Sequence, residues 1–148
     1  MCELEPEVVT YFTPQKANEI LPKVKSLMNE IIGKKTDADA LKDALEEIVK
    51  RGMQTGEYFD SRSKLDVATQ ELEESVKKLE ALGCQLKDID QGLVDFPAIR
   101  MGQQVNLCWK VGESVVEYWH GIHDGFVGRK LVQADEFYDE STTYHAAI

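Results

Sequence analysis

Cysteine is scarce in this chain, and its placement removes two chemistries at once. The three cysteines (Cys2, Cys84 and Cys108) are odd in number, lie far apart and form no CxxC pair. That excludes a disulfide framework and a four-thiolate zinc site. Positive charge is also short. The 148 residues carry 17 basic against 27 acidic side chains, with 12 against 17 up to residue 83 and 5 against 10 after it. The deficit is the same in both parts and leaves no basic stripe, so neither a phosphate backbone nor an anionic membrane surface is an expected partner. No apolar run approaches the roughly 20 residues of a membrane helix. The start, MCELEPEVV, lacks the basic and apolar segments of a signal peptide, and the expected location is the cytoplasm. There is no GxSxG, Walker or HExxH motif, and Gly125-x-x-Gly128 is too short to cradle a phosphate.

What the chain does have begins with helix. Thr13 is suited to cap a helix with Pro14 in its first position, where no amide hydrogen is needed. Ile20, Leu21, Val24, Leu27, Met28, Ile31 and Ile32 then keep one apolar face, interrupted by Pro22, which predicts a kink near Asn18. Gly33 is the expected end. A polar turn over 34–39 leads to a second helix over 39–51. A third, long helix is marked by Tyr58, Leu65, Leu72 and Leu79 at seven-residue intervals, a coiled-coil-like seam. These helices should pack antiparallel, or pair across a dimer axis.

After Gly83 the period changes from helical to alternating. Strands are expected over 84–89, 93–99, 104–110, 115–122 and 127–132, with turns at 90–92, 100–103 and 111–114. Pro97 belongs at an edge or bulge. The fold class read from this order is α+β: N-terminal antiparallel helices, one of them long and coiled-coil-like, followed by a small antiparallel β-meander. Residues 1–132 form one domain, helical over about 13–82 and β over about 84–132. The acidic segment 133–148 is expected to be mobile or loosely docked, and residues 1–9 to be an extended arm.

The unusual residues concentrate in 92–131, which holds both tryptophans, two of the three histidines and six of the ten glycines. In the third strand Val105, Leu107 and Trp109 share one face, and Asn106 and Cys108 the other. In the fourth, Val116, Tyr118 and His120 oppose Val115, Glu117 and Trp119. Large apolar groups on both faces predict that both are covered, one by the helices and one by a second subunit or the tail, so a homodimer is expected. Cys108 reads as a buried free thiol. His120-x-x-His123-Asp124, with Glu113 one turn away, offers imidazole and carboxylate as a divalent, zinc-like metal would need. The alternative is a strand-end histidine hydrogen-bonded to a carboxylate. Metal candidates are therefore His120, His123 and Glu113, and acid/base candidates are Glu113 and Asp95. Trp109, Trp119 and Arg129 are candidates to hold a small anionic ligand. Arg129 equally suits a structural bridge to Asp95, Glu113 or Glu117, and the tryptophans suit a core.

The segments YFTPQKANEILP, GLVDFP, VNLCWKVGE and YWHGIHDGFVGRK together resemble domain-of-unknown-function family 2203, small proteins of bacteria and archaea. The similarity runs from Tyr11 to Leu131. Its matching polar positions are Asp95, Cys108, Trp109, Glu113, Trp119, His120, Gly125 and Arg129, and His123 is not among them. The resemblance implies one compact fold and no particular activity. Two functional readings stand: a homodimeric module that binds a small ligand or a partner, and a metal-dependent hydrolase or hydratase built on His120 with nearby carboxylates. A third is a regulatory module whose long helix pairs with another protein.

Overall fold

The computed structural model describes residues 8–52, 55–137 and 143–145. Two helices precede a five-stranded antiparallel sheet, an α+β fold. A short strand β1 (Val8–Thr10) leads into α1 (Pro14–Lys50) and α2 (Thr55–Glu80). The strands β2 (Gln85–Asp88), β3 (Leu93–Arg100), β4 (Gln103–Lys110), β5 (Tyr118–Gly121) and β6 (Lys130–Leu131) follow, and β7 (Thr143–His145) pairs with β1. The sheet order β2-β3-β4-β5-β6 is the meander that the alternation predicts. No helix among the described residues is long and apolar enough to cross a membrane.

The helical half differs from expectation in number. Gly33 does not end a helix, and α1 runs 37 residues without a break. Thr13 caps it as expected, its hydroxyl accepting from the Lys16 amide. The helix also passes through Pro22, whose missing amide leaves only the Asn18 carbonyl without its helical donor. One exposed glycine costs a helix about 1 kcal/mol. Ile31, Ala38 and Ile48 bury the same side of α1 on both flanks of Gly33. The polar stretch that reads as a turn is laced by i,i+4 contacts: Lys34 with Glu30, Lys35 with Asp39, and the Thr36 hydroxyl onto the Ile32 carbonyl. The stop comes at Gly52, with φ +69°. Gly33→Ala is therefore expected to raise stability by about 1 kcal/mol, since nothing lies within 4 Å of the added carbon. Urea unfolding checks this, and an unchanged or lowered midpoint would mean the helix is not continuous there.

The two helices lie against one face of the sheet. Leu21, Val24, Met28 and Ile31 of α1 and Leu79 of α2 join Val94, Phe96, Ala98, Val105, Leu107, Trp109 and Trp119 in one core. Pairing puts these strand residues on a common face, with Val94 opposite Trp109, Phe96 opposite Leu107, and Leu107 opposite Trp119. Phe12 meets Phe96 edge to face. Between the helices, Ser75 is buried and donates to Glu30, while Lys34 donates to Ser75. That buried polar contact ties the two helices together at one level of the seam.

Two further expectations are corrected. The fourth strand begins at Tyr118 rather than 115, because the Asn18 side chain takes both the amide and the carbonyl of Val116. Val116 thus joins the helix-facing core instead of sharing a face with His120. The fifth strand shrinks to two residues, preceded by a 3-10 turn over Phe126–Gly128. Pro97 fits as expected. The β2 pairing reaches only Asp95, and beyond it the arm contributes one bond, from the Phe12 amide to the Pro97 carbonyl. Within the acidic tail, Glu136 pairs with Arg100 and its carbonyl accepts from the Met101 amide. The expectations for residues 1–7, 138–142 and 146–148 lie outside the described residues.

Candidate functional site

Three neighbouring strands each send one polar side chain to the sheet face turned away from the helices. Asp95 of β3 lies directly opposite Cys108 of β4, and His120 of β5 lies opposite Asn106, two residues along. Asp95 and His120 are 2% exposed and Cys108 is 1% exposed. Their ligand-type atoms all lie within 4.8 Å of one another.

The hydrogen bonds determine how this trio is protonated. His120 Nδ1 lies 2.8 Å from the Gly121 carbonyl oxygen. A carbonyl only accepts, so Nδ1 carries the hydrogen and Nε2 is turned to Asp95 Oδ1, 3.2 Å away. That contact requires either a proton or a cation between nitrogen and oxygen. The Cys108 thiol lies beside the Asp95 carboxylate and within reach of the Arg129 guanidinium, and the two act on it in opposite directions. Burial, followed by the charge of Asp95, pushes the Cys108 thiol up to about 12, with Arg129 acting in the opposite direction. A thiol held that high is not a ready nucleophile.

Arg129 closes the trio from above. It makes a bidentate pair with Glu113, with nitrogen to oxygen distances of 3.0 and 2.7 Å. Its guanidinium lies 4.0 Å from the centre of the Tyr118 ring and 4.2 Å from that of Phe126. Glu113 is held in turn by the Lys110 amide on its carboxylate, and its carbonyl accepts from the Trp109 indole. Burial works against a charged Glu113, but the Arg129 and Lys110 hydrogen bonds outweigh it and hold the carboxyl below the usual glutamate range.

The structure therefore brings together Asp95 and His120, and adds Cys108, which in the sequence alone reads only as a buried thiol. It does not bring Glu113 or His123 to them. Glu113 faces Arg129, one of the three structural bridges that the sequence offers that arginine. His123 is exposed within the turn in which Asp124 bonds Gly121. Trp109 and Trp119 stand on the opposite, helix-facing side, Trp119 with Arg100 and Lys130 against its ring. Of the three ligand candidates, only Arg129 reaches the trio. A signal for Cys108 was present in the sequence. A two-residue hairpin at Met101-Gly102 places Asp95 and Cys108 opposite one another by counting outward from the turn. No such count reaches His120, because the link over 111–117 is not a tight turn.

No curated protein and no solved structure matches this chain. The family model described as Uncharacterized conserved protein (DUF2203) matches residues 10–132, nearly the whole of the fold and all of the trio, and the chain belongs to that family.

Proposed function

We propose that this protein is a metal-dependent binding module that holds one divalent, zinc-like ion between Asp95, Cys108 and His120. The observation that carries the reading is the sealed contact between His120 Nε2 and Asp95 Oδ1 with the Cys108 sulfur beside it. Carboxylate oxygen, imidazole nitrogen and thiolate sulfur are the donor types that zinc takes, and the Nδ1 bond to a carbonyl is the usual way a ligating imidazole is oriented. Charge explains the preference for a divalent ion. With one proton on Cys108 and one between His120 and Asp95, the buried group is neutral. An ion of charge +2 that displaces those two protons leaves it neutral again, as a site closed to water requires.

The same geometry supports holding over turnover. The trio is closed to solvent, and the Glu113 oxygens are engaged by Arg129 and Lys110, so Glu113 does not stand ready as a base for hydrolysis or hydration. A homodimer remains part of this reading, but its surface moves. The far face of the sheet is covered at the trio by the chain's own Arg129, whereas Phe59, Val67 and Val49 are exposed on the outer half of the helical pair. Those residues are the proposed contact.

Element analysis of the purified protein, combined with zinc titration in buffers of different ionisation enthalpy, tests the metal reading. The expected result is about one ion per chain and about two protons released per ion. Cys108→Ser should retain the fold and bind far more weakly. A wild-type protein that takes up no ion and releases no protons overturns the proposal.

A further inference from the structure

Resting on that metal reading, we infer that the segment 122–129 is a strap that gates the ion, and that the Glu113–Arg129 pair is its latch. An ion enters with water attached, and three ligands exposed by no more than 2% offer it no open approach. Something must move first, and the structure narrows the choice. Asp95, Cys108 and His120 belong to three strands of one sheet; Asp95 and Cys108 are paired on both flanks, and His120 is paired with β4 on one side while the β6 ladder stops at Trp119, just short of it. The helices lie on the other face. On the trio's own face Arg129 lies against Cys108 and over the Tyr118 ring, at the end of a connection that leaves the sheet after Gly121 and returns at Lys130.

That connection is weakly attached to the body. Among the described residues, its hydrogen bonds are local: the Asp124 amide to the Gly121 carbonyl, the Gly121 amide to the Asp124 carboxylate, the Gly128 amide to the Gly125 carbonyl, and the Arg129 amide to the Phe126 carbonyl. Val127 is 98% exposed and Ile122 is also exposed. The strap is pinned by side chains alone. Arg129 reaches Glu113, Cys108 and the Tyr118 ring, and Phe126 lies near the Lys110 ammonium. Such an element can swing as a unit when its pins release, without breaking a strand pairing.

The strap is also joined to the trio at its first turn. The Gly121 carbonyl accepts both from His120 Nδ1 and from the Asp124 amide. The bond that orients the ligating imidazole is therefore shared with the turn on which the strap pivots. Glu113 stands on the link after β4, outside the strap, so the pair joins the moving segment to the fixed one. Arg129 is thus a positioning residue. It holds the strap shut and sits against the sulfur, and it does not ligate.

A gate and a mere prop for the thiolate differ in kinetics. Removing a gate speeds both entry and exit and changes affinity little. Removing a prop speeds exit alone. The test is stopped-flow binding of Co²⁺, read by its thiolate charge-transfer band, and extraction by excess chelator, in wild type, Glu113→Gln and Arg129→Lys. Glu113→Gln keeps the side-chain shape and an acceptor while removing the charge. Arg129→Lys keeps the charge and loses the two-pronged grip, so the inference does not depend on one variant folding. Both association and dissociation should rise by about tenfold or more, with the dissociation constant moving far less. Faster dissociation with unchanged association overturns the gate, as do rates in both folded variants equal to wild type. A wild-type protein that takes no Co²⁺ overturns the metal reading and the gate with it, whereas ion uptake at rates indifferent to the latch overturns the gate alone.

Discussion

His120→Ala is expected to lower the stability of the metal-free protein by about 3–5 kcal/mol, the usual cost of removing one member of a buried polar pair. The mutation takes away the Nε2 contact of an Asp95 carboxylate that is 2% exposed and leaves the Cys108 thiol beside it. The Gly121 carbonyl is less affected, because the Asp124 amide still donates to it. Most of the loss is thus the desolvation of Asp95 rather than the imidazole's own contacts. It follows that Asp95→Ala with His120→Ala should cost clearly less than the two singles added together, since the double change buries no charge. Urea unfolding of the four proteins gives the coupling directly. Zinc supplies a second arm. At a free concentration about 100 times its dissociation constant it should stabilise wild type by about 2.7 kcal/mol and His120→Ala hardly at all. A single mutant that loses under about 1 kcal/mol, or two losses that simply add, would show that the trio is not an interacting unit.

The readable parts of this molecule are those determined locally. Strands β3 and β4 stand almost where alternation and the Met101-Gly102 turn place them, because a two-residue hairpin sets its own register. The α1 N-terminus is equally local, with Thr13 and Pro14 sufficient to start it. The errors arise where a distant contact overrides a neighbour. Gly33 looks like a stop until the buried residues on both sides of it are seen to pack as one face. The 115–117 stretch looks like strand until Asn18, nearly a hundred residues earlier, claims the backbone of Val116. The site follows the same rule. Asp95 and His120 stand out by their chemistry, whereas His123 stands out only by its nearness to His120 in sequence. In space, the turn closed by Asp124 onto Gly121 carries His123 outward, while Cys108, twelve residues before His120, stands beside it.

Trp109 is where the core and the site meet, and its truncation is the other large effect expected. The ring is 1% exposed in the layer between helices and sheet, and its indole nitrogen donates to the Glu113 carbonyl at 2.9 Å. Trp109→Ala should cost about 3–5 kcal/mol, as large aromatic deletions in packed cores do. Trp109→Phe keeps much of the volume and loses the donor, so it should cost about 1–2 kcal/mol, set by one buried carbonyl left without its partner. If the ring instead floored a ligand pocket, both variants would retain near-native stability and lose only binding. The Phe variant should also be informative beyond stability. Glu113 holds Arg129 with its carboxylate and is itself tied to Trp109 through its carbonyl. Loosening that carbonyl should slacken the pair from the helix-facing side while leaving Asp95, Cys108 and His120 untouched on the other. Trp109→Phe is therefore expected to keep the full ion stoichiometry and yet exchange the ion faster. A variant as stable as wild type, or one that loses the ion outright, would place Trp109 in the site itself rather than behind it.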